Sequence, residues 1–214
     1  MALNKELSST YSQFLETAPK EVSSVITDAV GSFKNTYDPA RAIQPGSAFP
    51  NFQLSDATGN KVTLNELLAK GPILVSFYRG EWCPFCNLEL RALQNHLDEF
   101  RKRGVTLVAV SPELPDQSLS TSEKLSLKFP VLSDVDNQLA KQLGLLFAQP
   151  ESMRTVFDKF GVDWNQRYGS DHLEVPVPAT FLVDKKGIVR NFFVNPEYQY
   201  RLEPETAIQW IEQL

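Results

Sequence analysis

The sequence predicts an α/β fold in which a central mixed sheet is flanked by helices. Two continuous apolar runs, residues 73–78 and 105–110, are typical of strands that are buried on both faces. Residues 84–102, between these runs, repeat apolar side chains at helical spacing. A hairpin over 180–194 and a helix over 204–214 follow near the end of the chain. Strands alternating with helices favour a parallel sheet, and the hairpin makes it mixed.

Residues 1–44 are expected to form an N-terminal helical extension. Apolar side chains recur three and four residues apart on either side of Pro19. Pro45 and Gly46 then interrupt the helical pattern. We expect an antiparallel helical pair that covers one face of the protein or a partner subunit, so a homodimer is one expected assembly. The main domain is expected to span residues 45–214.

The remaining expected elements are shorter. They are a hairpin over 51–63, a helix capped by Thr63 or Asn65, helices over 122–128 and 137–143, a strand over 130–132 and a helix over 153–160. The last of these lies within a long polar and aromatic stretch, residues 147–173, which could be an ordered helix or a lid.

Composition excludes several classes of function. The chain has 214 residues, of which 42% are hydrophobic, and this is enough for one substantial core. The formal net charge is −5 without a basic run, so neither nucleic acid nor an anionic membrane is expected as a partner. No apolar run approaches the roughly 18 residues of a membrane span, and the first residues lack a secretion pattern. These features predict a soluble cytoplasmic protein.

The two cysteines of the chain lie three residues apart in Trp82-Cys83-Pro84-Phe85-Cys86, between a predicted strand and a predicted helix. Side chains at this spacing lie about 5–6 Å apart across one helical turn. A disulfide requires Cα atoms roughly 4.4–6.8 Å apart, so the pair can open and close with little backbone movement. In a reducing compartment such a pair is more often catalytic or metal-binding than structural. A thiol–disulfide centre is the leading interpretation.

Cys83 is expected to be the N-cap of its helix, with Pro84 at the first helical position, where a missing N–H costs nothing. Cys86 lies on the apolar stripe and should face inward, whereas Cys83 should be exposed at the start of the helix. The positive end of the helix dipole stabilises a thiolate there. Arg79, four residues earlier, could add a positive charge, and Trp82 could shield the sulfurs.

Less specific interpretations remain open. The pair could be half of a zinc site, but zinc needs about four ligands and only His96 and His172 remain, so no metal or other cofactor is expected. The cysteines could also be inert core residues. Arg79 could be a plain surface charge, and Trp82 could be a packing residue.

These residues resemble the thioredoxin-fold superfamily and, within it, the peroxiredoxin-like branch of the alkyl hydroperoxide reductase/thiol-specific antioxidant family. The stretches that carry the resemblance are residues 45–54, 77–86, 129–134 and 179–184. The resemblance runs from about residue 45 to the last residue. It implies a thioredoxin fold and thiol-dependent redox chemistry.

The resemblance also implies roles for individual residues. Cys86 matches the peroxide-attacking cysteine of the family. Cys83 stands where the family has a threonine, Arg79 where it has a proline, and Pro178 where it has an arginine that polarises the peroxide. Pro178 and Thr180, together with the spacing of the cysteines, are similar instead to thioredoxins and glutaredoxins, in which the first cysteine attacks and a cis-proline lies beside the pair.

Three functions follow as hypotheses. In the first, the chain is a peroxidase in which Cys86 attacks the peroxide, Cys83 resolves it as a disulfide, and a thioredoxin- or glutathione-type reductant restores the dithiol. In the second, Cys83 attacks a protein or small-molecule disulfide and Pro178 is cis. In the third, the chain is a redox sensor that binds a partner through residues 1–40.

Overall fold

The computed structural model describes residues 2–214. The strands are β1 (Gln53–Asp56), β2 (Lys61–Thr63), β3 (Ile73–Phe77), β4 (Thr106–Ser111), β5 (Val131–Ser133), β6 (Leu146–Ala148), β7 (Glu174–Pro176), β8 (Ala179–Val183) and β9 (Val189–Val194). The helices are α1 (Leu3–Thr17), α2 (Lys20–Thr36), α3 (Leu64–Leu68), α4 (Pro84–Asn95), α5 (Leu97–Lys102), α6 (Pro115–Lys124), α7 (Gln138–Gln142), α8 (Arg154–Lys159), α9 (Trp164–Tyr168) and α10 (Pro204–Ile211). None of the helices in this range is long and apolar enough to cross a bilayer.

A seven-stranded mixed sheet in the order β2-β1-β5-β4-β3-β8-β9 forms the centre of the molecule. Its inner strands β3, β4 and β5 are parallel, while β8 and β9 run antiparallel at one side and β1 and β2 at the other. The predicted α/β class is therefore confirmed. The sheet separates two apolar clusters, one under α1, α4 and α10 and the other under α3 and α7.

The central strand β3 positions the cysteine motif. Every residue of β3 is buried, as expected for a strand covered on both faces. The chain leaves the carboxyl end of β3 through residues 78–83 and enters α4 at Pro84. Loops at this end of a parallel strand commonly form binding sites in open α/β sheets.

Several local predictions are confirmed. The hairpin of β1 and β2 is present, and α3 starts with a capping box in which Thr63 and Glu66 bind each other's backbone N–H groups. The predicted helix over 137–143 is α7. Asp134 accepts hydrogen bonds from the backbone N–H groups of Leu139 and Ala140 and so holds the first turn of this helix.

Two helices differ from the prediction. The helix expected over 84–102 is broken at His96, whose φ of −103° and ψ of 5° leave the helical region, so that α4 and α5 are separate. The prediction of a helix over 122–128 is wrong, because α6 begins at Pro115 and ends at Lys124. Proline fits the first position of a helix, and Ser126 adopts a φ of 52°, which ends the helical path.

The two N-terminal helices do not form the simple antiparallel pair that was expected. Helix α1 packs mainly against α4, and α2 packs against the segment that begins at Glu151. The start of α1 is held by Glu203, whose carboxylate accepts hydrogen bonds from the backbone N–H groups of Leu3 and Asn4, both at 2.8 Å. The helices diverge because Ala18 and Pro19 are extended between them.

Residues 147–173 are ordered and hold more structure than their sequence indicates. The helix expected over 153–160 is present as α8, but α9 and the small antiparallel sheet of β6 and β7 were not predicted. Both strands are only three residues long, which is too short for a periodic signal. Together with α2, this segment forms a third apolar cluster beside the central sheet.

Replacing Leu7 with alanine should lower the free energy of unfolding by about 2–5 kcal/mol, because a buried leucine leaves a cavity when it is truncated. Leu7 is 1% exposed and belongs to the main apolar cluster. Leu15, on the same helix, is 42% exposed, and its replacement should cost less than about 0.5 kcal/mol. Urea denaturation of both variants measures the difference, and equal losses would show that α1 is not part of the core.

Candidate active site

The cysteine motif begins at the N-terminus of α4. Cys83 is the N-cap residue and Pro84 is the first helical residue, as predicted. The carbonyl of Cys83 accepts hydrogen bonds from the backbone N–H groups of Cys86 and Asn87, which closes the first turn. This turn brings the two side chains together, so that each thiol influences the pKa of the other. Both cysteines are free thiols.

Both sulfurs are buried, and this corrects the expectation that Cys83 is exposed. Each cysteine has 0% exposure. The expectation treated the start of the helix as open, whereas aromatic side chains from the rest of the chain cover it. Phe85 packs on Tyr198 with ring centroids 5.4 Å apart, and Trp82 packs on Phe157 at 5.1 Å.

Arg79 supplies the positive charge beside Cys83. Its Nη2 donates a hydrogen bond to the Cys83 sulfur at 3.0 Å. The guanidinium lies 4.0 Å from the ring centre of Tyr198 and 5.0 Å from that of Trp82, which gives two cation–π contacts. Arg79 is only 7% exposed, so it is not a plain surface charge.

A second guanidinium approaches Cys86 from a distant part of the sequence. Arg201 Nη2 lies 3.6 Å from the Cys86 sulfur, and its Nε donates a hydrogen bond to Glu89 at 2.7 Å. Both members of this ion pair are buried. Neither residue was predicted from the sequence. Glu89 could have been found as a charged residue on the apolar stripe of α4, three positions after Cys86, but no local pattern marks Arg201.

The surroundings shift the pKa values of the two thiols in opposite directions. Burial alone raises the pKa of Cys83, but the neighbouring Cys86 thiol and the guanidinium of Arg79 outweigh it and hold the pKa well below its usual value. Burial and the adjacent sulfur raise the pKa of Cys86 well above its usual value. The proton of the pair therefore stays on Cys86 and the negative charge on Cys83. Burial also raises the pKa of Glu89 to about 7, although the positive charge of Arg201 lowers it.

Trp82 is part of a hydrogen-bonded support and not only a packing residue. Its Nε1 donates a hydrogen bond to the hydroxyl of Tyr168 at 2.6 Å, and that hydroxyl donates to the carbonyl of Arg79 at 2.8 Å. Gly80 lies between them without space for a side chain, because a Cβ would meet Trp82 Nε1 at 2.7 Å and Tyr168 Oη at 2.8 Å. Tyr168, on α9, was not foreseen because nothing in the sequence links it to the motif.

A buried carboxylate holds the other side of the same loop. Glu113 accepts hydrogen bonds from the backbone N–H of Glu81 and, at 2.9 Å, from Arg167. Arg167 also binds the Glu81 side chain at 3.2 Å. Burial raises the pKa of Glu113 to about 7, although Arg167 draws it lower. Residues 79–82 are thus held against α9 by the ion pairs of Arg167 as well as by the hydrogen bonds of Tyr168.

Pro178 and Thr180 are less closely involved than expected. Pro178 lies between β7 and β8 and lines the cavity described below, and no cis peptide bond occurs in the range 2–214, so the cis-proline of the second hypothesis is absent. Thr180 is buried in β8, in register with Ser76. Thr180 is not one of the described groups that hydrogen-bond the sulfurs.

The cysteines and histidines that were weighed as a zinc site do not gather together among residues 2–214. Within the described chain, no three His, Cys, Asp or Glu side chains gather in an arrangement that could hold a metal ion. His96 lies at the end of α4, where its Nε2 is 3.5 Å from Glu205.

A cavity of about 480 Å³ adjoins the site, and we call it the apolar chamber. Helix α2 forms one wall and residues 147–178 form the other. Arg79, Trp82 and Phe85 lie at the side that faces the cysteines. The chamber therefore adjoins Arg79, the residue that binds the Cys83 sulfur, and is built largely from the N-terminal extension and the 147–173 stretch; neither cysteine lines it.

Replacing Arg79 with glutamine should raise the pKa of Cys83, because burial remains while the positive charge is lost. The wild-type thiolate should persist as the pH falls through neutrality, whereas the variant should lose it. Ultraviolet thiolate absorbance and the rate of alkylation as a function of pH measure this change. Arg91→Gln, at an exposed position of α4, is the matched control and should leave the titration unchanged. A Cys83 titration identical in all three proteins would contradict the assignment.

Replacing Arg201 with methionine should destabilise the protein by up to about 3–5 kcal/mol, because the buried Glu89 carboxyl loses its partner and must either stay charged without compensation or take up a proton. The double variant with Glu89→Leu should recover part of this loss. Lys34→Met breaks an exposed ion pair with Glu197 and should have a much smaller effect. Denaturation at one pH compares the four proteins; no recovery in the double variant would show that charge pairing is not the cause.

Comparison with known proteins identifies the family of the chain. The AhpC/TSA family model matches residues 45–192. Peroxiredoxin Bcp of Escherichia coli (strain K12) is 32% identical over 171 residues, which cover 80% of this chain and 97% of the relative. Chloroplastic peroxiredoxin Q of Populus jackii is 27% identical over 200 residues, which cover 94% of this chain and 80% of the relative.

Solved structures share the fold. Peroxidoxin BcpB from Mycobacterium tuberculosis has a TM-score of 0.63 at 20% identity and covers 80% of this chain and 98% of its own. The 2-Cys peroxiredoxin of Plasmodium vivax has a TM-score of 0.62 at 22% identity, with 79% and 81% covered. The fold is the thioredoxin-like fold of peroxiredoxins. The chain belongs to the AhpC/TSA family and is a peroxiredoxin-type thiol peroxidase.

Proposed function

We propose that the chain reduces peroxides by cycling Cys83 and Cys86 between a dithiol and an intramolecular disulfide. The observation that carries this proposal is the placement of both sulfurs, buried side by side, in the first turn of α4, with a guanidinium beside each of them. A peroxide-oxidised sulfur would have a second thiol at bonding range, so that closure needs little backbone movement. The burial of both sulfurs suits a small hydroperoxide group.

The order of events rests on the charges around the pair. Family position favours Cys86 as the attacking residue, whereas the guanidinium of Arg79 and the neighbouring Cys86 thiol favour a thiolate on Cys83. Because the thiolate is the nucleophile, we assign the attack to Cys83. The Cys86 thiol, which holds the shared proton, is then placed to act as an acid.

Oxidation of the cysteine pair by a peroxide proceeds in two steps. The Cys83 thiolate attacks the terminal oxygen of the hydroperoxide, the O–O bond breaks, and Cys83 becomes a sulfenic acid. The leaving oxygen takes the proton of Cys86 and departs as an alcohol or water. The resulting Cys86 thiolate attacks the Cys83 sulfur, a disulfide forms, and hydroxide leaves and is protonated by solvent. Arg79 and Arg201 would balance the negative charge at each stage.

Reduction of the disulfide completes the cycle. A thioredoxin- or glutathione-type reductant supplies two electrons and two protons. This proposal assumes the cytoplasmic location that was expected from the sequence. Because both sulfurs are covered, a protein reductant needs the start of α4 to open before it can attack. Phe85 and Tyr198, which cover this turn, would have to move. A homodimer remains an expected assembly.

The geometry of the site supports the disulfide-reductase and redox-sensor hypotheses less well than the peroxidase. A disulfide reductase would also use a thiolate on Cys83, but a protein disulfide is too large to reach a sulfur with 0% exposure unless the site opens first. A sensor that binds a partner through residues 1–40 would have to release α1 from α4 and α2 from the 147–173 stretch.

Treating each single-cysteine variant with one equivalent of hydrogen peroxide tests the order of attack. Cys86→Ser should accumulate a sulfenic acid on Cys83, because the thiolate remains but cannot be resolved. Cys83→Ser should react far more slowly, near the rate of a free thiol, because the remaining thiol is buried and protonated. Sulfenic-acid trapping and mass spectrometry locate the oxidised sulfur, with unfolded protein as the free-thiol reference. Fast oxidation of Cys86 in Cys83→Ser would reverse the assignment.

A further inference from the structure

The segment between β9 and α10 carries Arg201 but has no regular structure of its own. Residues 195–203 lie outside the helices and strands of the described chain. Arg201 is nevertheless buried, and its guanidinium donates hydrogen bonds to Glu89 at 2.7 Å and to the carbonyl of Tyr200 at 3.0 Å. Its Nη2 lies 3.6 Å from the Cys86 sulfur. The backbone of such a segment must find its hydrogen bonds elsewhere in the molecule.

Asn4, the second residue of α1, supplies these hydrogen bonds. Its Oδ1 accepts one from the backbone N–H of Arg201 at 3.0 Å, and its Nδ2 donates one to the Arg201 carbonyl at 2.8 Å. One side chain thus satisfies both backbone groups of Arg201. Glu203 fixes Asn4 in turn, because its carboxylate accepts hydrogen bonds from the backbone N–H of Asn4 at 2.8 Å and from Nδ2 at 2.9 Å.

The guanidinium that Asn4 supports lies beside the cysteine that ionises second. In the proposed cycle, Cys86 gives its proton to the leaving oxygen and then attacks the Cys83 sulfur as a thiolate. A positive charge within about 4–6 Å favours the charged form of an acid. Arg79 donates its hydrogen bond to Cys83, whereas Arg201 is the guanidinium that contacts Cys86.

Several groups on different elements face Cys86 and determine how much this charge matters. The titratable and charged ones are Tyr78, Arg79, Cys83, Glu89 and Arg201. The thiolate of Cys83 and the carboxylate of Glu89 both oppose a negative charge on Cys86. Tyr78 stays neutral, because burial raises its pKa above the usual value. Without Arg201 in place, Arg79 would be the one cation among these groups.

We propose that Asn4 is a positioning residue for disulfide closure, because it keeps Arg201 against the Cys86 sulfur. The proposal rests on the peroxidase cycle above. Asn4, Arg201 and Glu203 all lie outside the family-matched residues 45–192. Helix α1 therefore controls the second step of the cycle, whereas Arg79, within the matched residues, controls the first.

The first test measures Cys86 by itself, in the Cys83→Ser background, through its rate of alkylation by iodoacetamide as a function of pH. Asn4→Ala should move the midpoint of this profile to higher pH. Relative to the high-pH plateau, the rate below the midpoint should fall about tenfold, because a displaced guanidinium no longer favours the thiolate. Gln13→Ala, which removes an exposed amide from the same helix, is the matched control and should keep the wild-type midpoint. An unchanged midpoint in Asn4→Ala would overturn the proposal.

The second test separates the two steps in the chain that has both cysteines. The protein is mixed with hydrogen peroxide, a sulfenic-acid trap is added at set times, and mass spectrometry gives the fractions of trapped Cys83 and of disulfide. Asn4→Ala should form the sulfenic acid within about twofold of the wild-type rate but close the disulfide about tenfold more slowly. Equal slowing of both steps would show a general structural role and overturn the proposal.

A second variant covers the case in which Asn4→Ala fails to fold. Glu203→Gln then replaces it in both tests, because it keeps the size of the side chain but removes the charge that holds Asn4. It should shift the Cys86 midpoint and slow closure in the same direction, and wild-type values for both would overturn the proposal.

The outcomes distinguish the positioning role from the peroxidase cycle. A wild-type chain that reacts with hydrogen peroxide, and closes its disulfide as fast as Asn4→Ala does, would overturn the positioning role alone. A wild-type chain that does not react, combined with a shifted Cys86 midpoint in Asn4→Ala, would overturn the peroxidase cycle and leave the effect of Asn4 on the Cys86 thiol standing.

Discussion

The contact between Arg79 and the sulfur of Cys83 is the interaction on which the rest of the site depends. Both groups are buried, and an isolated charge in an apolar interior is strongly disfavoured. At 3.0 Å, each charge compensates the burial of the other. The aromatic faces of Trp82 and Tyr198 add to the stabilisation of the guanidinium. A reactive thiolate can therefore exist where water does not reach.

The surrounding fold keeps this contact in place. The backbone of Arg79 is held by the hydroxyl of Tyr168, and the backbone N–H of Glu81 by the carboxylate of Glu113. Since Tyr168 comes from α9, the stretch of 147–173 is a structural part of the redox centre as well as a wall of the apolar chamber. Strand β3, buried along its whole length, fixes where the loop begins.

The sequence predicts what depends on local pattern. Buried strands such as β3 have continuous apolar runs, and Pro84 marks the start of α4, so the sheet and the cysteine pair could be placed in advance. Contacts between distant residues leave no such pattern. Arg201 contacts Cys86 only because the chain after β9 folds back towards α4. The aromatic side chains that cover Cys83 include Phe157 and Tyr198, which are distant from it in the sequence. The burial of Cys83 and the separate paths of α1 and α2 were unpredictable for this reason.

The beginning and the end of the chain meet beside the redox pair. Asn4 accepts a hydrogen bond from the backbone N–H of Arg201 and donates one to its carbonyl, while Glu203 caps the start of α1. Arg201 is thus fixed by residues from the first turn of the protein. During synthesis on the ribosome, Cys86 gains its guanidinium neighbour only after Arg201, 115 residues further along the chain, has emerged, so the reactive centre assembles long after its cysteines have been made.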